Sequence, residues 1–378
     1  MMHLTVDFAR PADDAAIRRL LAREPMPGRV TVTFEREPDF SLGCAVMGED
    51  CRTLVARNGV ARNGAARNGQ ANEVIGVACR ATRTVFFNGR EQRLGYLGQL
   101  RIDERFRGRW LLSYGFRLLR QLHEADPVPA YLAAIIGGND EATAVLVEKR
   151  RRMFPAFHPV ADYCTLAIDV HRAKPPLPCD AQIAPGSADD TTELVEFLQT
   201  HGPRRQFFPV WTEEDFRRLA PFGLSMGDVQ IARRKGQIVG VCALWDQSTF
   251  KQTIVRGYSG WLKAAAPAWN LSASFFGRAP LPRPGERLRH AYAALICVAG
   301  DDAAIFAALL RAVYNLAHAR GFSYLMVGLD ARDPLLPTAR AYRHVLYPSR
   351  FYLAEWPDGG HLHEQLDQRP CYVDIATL

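Results

Sequence analysis

The sequence gathers three arginines within five positions, Arg105, Arg107 and Arg109. An apolar run ends at Ile102 just before them, and leucines at helical spacing begin at Leu111. The start of a helix offers free backbone N–H groups and the positive end of the helix dipole, so it can bind an anion. Guanidinium groups in the same turn add charge and paired donors. The pattern predicts a site for a phosphate-bearing ligand, although a solvated basic turn that caps a helix has the same composition.

Groups that could move a proton lie beside this turn. Asp103 and Glu104 follow the apolar run, and Gln99 is a polar residue within it. A carboxylate there could take a proton from an amine. Solvent-exposed or helix-entry positions use the same residue types, so both interpretations stay open for all three residues.

The sequence shows no pattern typical of a metal or nucleotide motif. There is no CxxC pair, Walker loop or GxGxxG. The eight cysteines are dispersed and several lie in strand-like runs, which indicates buried thiols in a reducing compartment. His361-x-His363-Glu364 follows a turn-like stretch and is expected to be a solvated loop. We therefore predict no metal site.

The hydrophobic pattern around the arginine turn predicts a mixed sheet that is present twice. Asn88-Gly89 between apolar runs predicts a hairpin over 74–102. A one-faced helix at 111–122 and a strand at 131–136 follow the turn. The second half repeats the order strand, helix, strand at 291–298, 305–316 and 324–329. Hairpins that lead into such units are typical of an α+β sheet flanked by helices.

A proline-rich segment divides the chain nearly in half. Pro175, Pro176 and Pro178 lie within 173–180, which we interpret as a linker between domains at 1–172 and 181–378. The first half also carries three copies of Ala-Arg-Asn-Gly over 56–69. Repeated Asn-Gly pairs predict a solvent-exposed hairpin tip; a flap that carries Arg57, Arg62 and Arg67 towards an anion is the alternative.

Composition restricts the class of protein. The 378 residues are 48% hydrophobic and 23% charged, as in globular proteins. No 18-residue apolar run or basic-then-apolar leader occurs, so we expect a cytoplasmic protein without a membrane segment. The net charge of +7 is small and its basic residues are dispersed, which makes nucleic acid an unlikely partner. The oligomeric state is not disclosed by the sequence.

The order of elements, together with the arginine turn and Asn139-x-x-Ala142, resembles the GCN5-related N-acetyltransferase (GNAT) superfamily. The family signature after the fourth strand is Gln or Arg, two residues, Gly, one residue, then Gly or Ala. Two alignments are possible, over 105–110 or over 107–112, and the spacing from the preceding strand favours the second. That alignment keeps Arg107 but places Trp110 and Leu112 where the family has small residues. Leu146 stands where a proton-donating Tyr is common.

The resemblance implies two tandem GNAT-like domains and an acyl-CoA-dependent N-acyltransferase, with acetyl-CoA or another acyl-CoA as co-substrate. The acceptor would be the amine of a small molecule or peptide. In the second copy Asp301 and Asp302 replace the arginines, so CoA binding is expected in the first copy alone. A non-catalytic ligand-binding or interaction protein of GNAT origin is the alternative. The residues implied to contact the co-substrate are Leu100, Arg101, Ile102, Arg107, Gly108, Arg109, Trp110, Leu111, Leu112 and Asn139.

Overall fold

The computed structural model describes residues 2–26, 28, 30–60, 73–108, 110–148, 154–273 and 281–378. None of the helices in these ranges is long and apolar enough to cross a membrane. The strands are β1 Met2–Phe8, β2 Val30–Glu35, β3 Asp50–Val60, β4 Glu73–Phe87, β5 Arg90–Ile102, β6 Tyr131–Ile136, β7 Ala156–Asp169, β8 Gln182–Pro185, β9 Val229–Arg234, β10 Gln237–Trp245, β11 Gln252–Tyr258, β12 His290–Val298, β13 Tyr324–Asp330 and β14 His344–Glu355. The α-helices are α1 Asp14–Arg23, α2 Cys44–Met47, α3 Leu111–Ala125, α4 Asp140–Thr143, α5 Thr191–His201, α6 Glu213–Leu219, α7 Gly260–Ala273, α8 Ala303–Ala319, α9 Leu336–Arg340 and α10 Leu362–Gln365.

Twelve strands form one continuous sheet in the order β1-β3-β4-β5-β6-β14-β7-β13-β12-β10-β9-β8. Two neighbouring pairs are parallel, β5 with β6 and β12 with β13, and the others are antiparallel. The same strand order therefore appears twice around a central pair of long strands. The predicted α+β fold with a sheet unit in each half is confirmed.

The hairpin predicted at Asn88-Gly89 joins β4 to β5, which pair from Phe87 opposite Arg90 to Gly76 opposite Ile102 with one register shift between Cys79 and Val77. Both turn residues have positive φ, 50° at Asn88 and 79° at Gly89. Two consecutive left-handed residues are the geometry of a type I′ turn, which matches the twist of antiparallel strands. The Asn-Gly pair predicted this turn because both residue types tolerate a positive φ.

The two halves exchange their last long strands. β14 of the second half pairs with β6 of the first through Ser349–Ala354, while β7 of the first half pairs with β13 of the second. β7 and β14 also pair with each other in the centre of the sheet. A two-stranded sheet of β2 and β11 joins the halves a second time. This exchange could not be predicted from the sequence, because hydrophobic periodicity does not specify which strands become neighbours.

The segment at 173–180 contains no helix or strand, and Asn315 on α8 hydrogen-bonds the backbone N and O of Lys174. The domain limits at 1–172 and 181–378 stay a prediction. The first Ala-Arg-Asn-Gly copy is part of β3 rather than a solvent tip: Arg57 is buried and its Nε donates to Asp13 Oδ1 at 3.1 Å. Positions 61–72, including Arg62 and Arg67, lie outside the described residues.

A charged cluster fixes the end of α3 to the sheet. Arg80 is 1% exposed and its Nη2 donates to the carbonyl oxygen and Oδ2 of Asp126, at 2.8 and 2.9 Å. Arg93 donates to both oxygens of the same carboxylate, at 2.6 and 2.8 Å. These hydrogen bonds, first those from Arg93 and then those from Arg80, hold the pKa of Asp126 below its usual value.

Asp126→Asn should therefore change the pH dependence of stability. A lowered folded-state pKa stabilises the protein above the unfolded pKa, about 3.9, and this contribution is lost as the pH falls below it. We expect the variant to be less stable than the parent at pH 7 and the difference to shrink below about pH 4. Urea unfolding from pH 7 to pH 3 measures it. Asp162→Asn, on an exposed pair with Arg350, is a control expected to change little, and a pH-independent difference for Asp126→Asn would contradict the assignment.

Candidate active site

A wedge opens between β5 and β6 in the first half. Their parallel ladder joins Gly95–Leu97 to Tyr131–Ala133 and ends there, although both strands continue. α3 follows β5 and contributes Leu111, Leu112 and Gly115 to the walls. Parallel strands that separate in this way leave main-chain groups unpaired at the edge of a cleft.

A β-bulge in β5 lies at this opening. Gly98 is opposite Cys79 and Arg101 is opposite Val77, so Gln99 and Leu100 have no partner in the ladder with β4. Gln99 has a φ of 58°, a left-handed conformation that costs energy for a residue with a side chain. Bulges redirect main-chain groups next to active sites. The bulge therefore leaves Gln99 and Leu100 without directly opposite residues on β4, at the edge of the wedge.

The second half repeats the bulge, but there the main-chain groups are already bound. Leu295 has a φ of 54° and occupies the position of Gln99. Its N–H donates to Asp374 Oδ2 at 2.9 Å, and the N–H of Ile296 donates to the Tyr372 hydroxyl at 2.9 Å. A carboxyl oxygen and a hydroxyl oxygen of the chain itself thus accept hydrogen bonds from the N–H groups of the second bulge.

The segment Cys371–Leu378 carries these two side chains and fills the second wedge. The Cys371 N–H donates to Asp330 Oδ2 on β13 at 2.8 Å, and the Val373 carbonyl accepts from the Tyr163 hydroxyl on β7 at 2.8 Å. Cys371, Tyr372 and Asp374 are almost completely buried. The two wedges therefore differ: one leads into a cavity and the other is filled by protein.

The cavity reached from the first wedge has a volume of about 770 Å³ and is lined by both halves of the chain. The first half supplies mainly apolar side chains from β6, α3 and β2. The second half supplies aromatic and polar groups, including Tyr258, Tyr292, Tyr324 and Tyr347. Large, mostly apolar cavities with a few polar groups are typical ligand sites.

The structure brings most of the residues implied by the resemblance to this cavity. Its lining includes Gln99, Leu100, Arg101, Ile102, Leu111, Leu112 and Asn139. Asn139 caps α4 by accepting from the Ala142 N–H at 3.1 Å, and Leu146 also lines the cavity. Five of the other residues, Asp103, Glu104, Arg107, Gly108 and Trp110, are not among the lining residues. Arg109 lies outside the described residues.

The two carboxylates predicted as candidate proton acceptors, Asp103 and Glu104, do not face the cavity. Asp103 is buried and both of its oxygens accept from the Arg105 guanidinium, at 2.9 and 2.6 Å. These hydrogen bonds hold the pKa of Asp103 below its usual value. Glu104 is exposed and begins a short 3₁₀ turn. Neither carboxylate therefore serves as a proton acceptor at the bulge. The sequence could not predict this, because the position of a residue at the end of a strand does not specify which groups its side chain contacts.

Arg107 lies near the wedge but is held by carboxylates. Its Nη2 donates to Glu24 at 2.8 Å and its Nη1 to Glu141 at 3.2 Å. Gly108 has a φ of 72° with open space around it, and the Trp110 side chain is 73% exposed. The bulky residue at position 110 thus points into solvent, and Trp110 adds no side-chain cap to α3.

A histidine in the second half was missed by sequence reasoning. His290 at the start of β12 lines the cavity; its Nδ1 lies 3.0 Å from the Leu288 carbonyl oxygen and its Nε2 3.3 Å from the Tyr292 hydroxyl. Nδ1 is therefore the protonated nitrogen, since a carbonyl only accepts. Burial lowers the pKa of His290, so the ring is neutral at pH 7 and Nε2 can accept a proton. Only the tertiary fold brings this residue to β5.

Among the residues that the structure describes, two groups of three His, Cys or Glu side chains have possible ligand atoms within 4.8 Å of one another, close enough to hold a metal ion. Cys44, Cys51 and Cys79 form the first, so three of the dispersed cysteines meet in space. The second is His158, Glu355 and His363; the two rings stack at 3.4 Å and His363 Nδ1 lies 2.8 Å from Glu355 Oε2. His363 is thus packed against the sheet and is not the solvated residue that we expected.

Comparisons with known proteins identify the fold. No family model and no curated protein matches the sequence. Among solved structures, a GCN5-related N-acetyltransferase from Sphaerobacter thermophilus matches with a TM-score of 0.56 and 14% identity, over 99% of this chain and 98% of that one. An N-myristoyltransferase from Saccharomyces cerevisiae with bound myristoyl-CoA matches with 0.61 and 10%, over 93% and 79%. A GCN5-related glucosamine N-acetyltransferase region of a fungal multi-domain GH3 β-N-acetylglucosaminidase matches with 0.58 and 13%, over 93% and 38%. The chain therefore has the tandem fold of GCN5-related N-acetyltransferases.

Proposed function

We propose that this chain, with its tandem GNAT fold, is an acyl-CoA-dependent N-acyltransferase whose first half binds the co-substrate. One observation carries the proposal: the wedge at the Gln99–Leu100 bulge opens into a cavity, whereas the matching wedge in the second half is filled by Cys371–Leu378. The bulge N–H groups of the second half bind oxygen atoms of the chain itself. The bulge of the first half is thus suited to bind the oxygen of a substrate.

The reaction is a direct transfer of an acyl group. The amine nitrogen attacks the thioester carbonyl carbon, the C–S bond breaks, and CoA leaves as its thiolate or thiol. The backbone N–H groups at the bulge stabilise the negative charge that develops on the carbonyl oxygen. Walls such as Phe116, Leu119 and Leu146 are apolar, and the cavity of about 770 Å³ leaves room for an acyl chain longer than acetyl.

His290 is the group in the cavity best suited to receive the proton of the attacking amine. Its unprotonated Nε2 accepts a hydrogen bond from the Tyr292 hydroxyl at 3.3 Å, so the proton of the amine reaches Nε2 through that hydroxyl. A neutral imidazole close to physiological pH is an efficient general base. This assignment replaces Asp103 and Glu104, whose side chains do not reach the cavity.

Isothermal titration with CoA, acetyl-CoA and myristoyl-CoA tests the function, followed by an assay of CoA release. We expect acyl-CoA to bind with a dissociation constant below a millimolar. His290→Gln should bind as tightly and turn over 10²- to 10⁴-fold more slowly. Absence of binding at millimolar concentration would overturn the enzyme assignment, and unchanged turnover in His290→Gln would remove His290 from the mechanism.

A non-catalytic ligand-binding protein is the second candidate, because the region around Arg107 is poorly suited to bind the phosphates of CoA. Its charge is offset by Glu24 and Glu141, and Leu112 occupies a position where a small residue would let phosphate approach the backbone. Such a protein would bind a ligand in the cavity without releasing CoA from acyl-CoA. The same titration and release assay therefore decide between the two candidates.

A further inference from the structure

The cavity has a strongly positive wall. The basic side chains among the described residues that line it are Arg36, Arg80, Arg101, Lys251 and Arg343, and Asp169 is the one acidic side chain. Burial holds the pKa of Lys251 well below its usual value. Two of the five are paired. Arg80 bonds Asp126, and Arg343 lies 3.9 Å from Asp169. Lys251 donates to the backbone oxygens of Ala376 and Leu378, at 2.9 and 2.8 Å.

Of the remaining basic residues, Lys251 and Arg36 are both deeply buried, and Arg36 is the one that contacts the bulge. It is 6% exposed, and its side chain donates to the Glu35 carbonyl at 3.0 Å and to Gln99 Oε1 at 3.3 Å. Both acceptors are uncharged. A guanidinium keeps its charge and has five donors in a planar fork, so two neutral hydrogen bonds leave most of its capacity unused. Burial of such a group is costly until an anion meets it.

Arg101 meets the other residue of the bulge. Its Nη1 donates to the Leu100 carbonyl at 2.7 Å and its Nη2 contacts the Met26 sulfur at 3.0 Å. Burial, and after it the charge of Arg36, lowers the pKa of Arg101 to about 10. Within the described ranges neither Arg36 nor Arg101 forms an ion pair, and the nearby Glu24 is already bound to Arg107. Two like charges therefore flank the bulge without a carboxylate of the chain between them.

Among the titratable groups near Arg36, the Cys44 thiol is the one that could carry a negative charge, and Cys44 does not line the cavity. Burial raises the pKa of Tyr96 and of Tyr292, which keeps both hydroxyls uncharged. Hydrogen bonds from the thiols of Cys51 and Cys79 lower the pKa of Cys44, and the charge of Arg36 adds to this. The Cys44 side chain does not line the cavity. The face of Arg36 at Gln99 therefore has no anionic partner.

We propose that Arg36 and Arg101 bind a carboxylate of the acceptor, so that the acceptor is an amino acid with an apolar side chain. This inference rests on the proposed function. Two guanidiniums fixed to Gln99 and Leu100 hold the carboxylate next to the bulge where the thioester oxygen is bound, which brings the α-amine close to the reacting carbon. The aromatic wall formed by Tyr258, Tyr292 and Tyr324 accommodates the apolar side chain.

The test compares acceptors that differ only in the carboxylate: L-tryptophan with tryptamine, and L-phenylalanine with 2-phenylethylamine. With acyl-CoA present, we expect kcat/KM for the amino acid to exceed that for the matching amine at least 100-fold. Arg36→Gln and Arg101→Gln should each reduce kcat/KM for the amino acid at least 30-fold, and Arg36→Gln should leave kcat/KM for the amine within threefold. Arg36→Lys keeps the charge and loses the planar guanidinium, so its kcat/KM for the amino acid should lie between that of the parent and that of Arg36→Gln. Arg217→Gln, on the exposed pair with Glu214, is the control.

Binding provides a readout that does not depend on turnover. L-Tryptophan titrated into the full chain in the presence of CoA should bind to the parent and to Arg217→Gln but not to Arg36→Gln, and tryptamine should bind to none of them measurably. If no acyl-CoA is turned over, the proposed function fails, while this binding pattern would still support the carboxylate site. Equal kcat/KM for the amino acid and the amine, or equal binding of L-tryptophan to parent and Arg36→Gln, would overturn the inference. In that case the Cys44 thiolate would be the remaining partner of Arg36.

Discussion

Gly115→Phe should abolish acyl-CoA binding while the protein stays folded. Gly115 is in the middle of α3 and lines the cavity at the first wedge, and a Cβ built on it meets no atom within 4 Å. A benzyl group there would occupy the space between α3 and β6 that the co-substrate must enter. We expect at least a 100-fold loss of affinity for acyl-CoA, about 2.7 kcal/mol at 1.4 kcal/mol per factor of ten.

Gly115→Ala is the matched control for this prediction. A methyl group leaves the wedge open, and alanine in a helix interior is about 0.5–1 kcal/mol more favourable than glycine. The alanine variant should therefore bind acyl-CoA like the parent and unfold at a slightly higher urea concentration. Unchanged affinity in Gly115→Phe, measured by titration, would show that acyl-CoA binds elsewhere.

Asp374→Ala should give a large loss of stability. Asp374 is 1% exposed and accepts from the Leu295 N–H at 2.9 Å, the Ala376 N–H at 3.2 Å and the Tyr372 hydroxyl at 3.4 Å. Removal of the carboxylate leaves buried donors unsatisfied, at about 1–3 kcal/mol each. We expect a loss of about 3 kcal/mol in the free energy of unfolding.

Asp374→Asn separates hydrogen bonding from charge. Burial raises the pKa of Asp374, so its charged form is disfavoured where it lies. Leu295 donates to Oδ2 and Ala376 to Oδ1, so the single asparagine oxygen can keep one of these two hydrogen bonds. The asparagine variant should therefore lose less stability than the alanine variant. Urea unfolding at pH 7 and the rate of proteolysis near the segment Cys371–Leu378 are the measurements. Equal stability of Asp374→Ala and the parent would show that Asp374 does not hold the segment Cys371–Leu378 in the second wedge.

The sequence was sufficient to predict the repeated unit and much of the first wedge. Asn88-Gly89 requires two left-handed residues, and the leucines of α3 require a one-faced helix, so the β4–β5–α3–β6 unit follows from local chemistry. The residues proposed to contact acyl-CoA at the wedge were implied by the resemblance to GNAT proteins. Gln99 lies on the bulge itself, although only the ladder with β4 reveals the bulge.

The rest of the site depends on contacts between distant parts of the chain. Arg36 follows β2 and donates a hydrogen bond to Gln99, 63 positions later in the chain. β2 is not part of the twelve-stranded sheet but pairs with β11, and this pairing brings Arg36 to Gln99. His290 reaches the same cavity from the second half. In the sequence Arg36 stands between glutamates and has the composition of a solvated turn. No periodicity or spacing distinguishes it from the exposed arginines elsewhere in the chain.

The strand exchange has a consequence for synthesis of the chain on the ribosome. β6 ends at Ile136, but its neighbour β14 begins at His344, so the first half cannot complete its sheet until almost the whole chain has been made. In the first half alone, one edge of β6 and both edges of β7 are unpaired, because the neighbours of β7 are β13 and β14. Exposed edges recruit other strands. A nascent or truncated first half should therefore depend on chaperones, and the two halves should become protease-resistant in a single step when β14 is inserted.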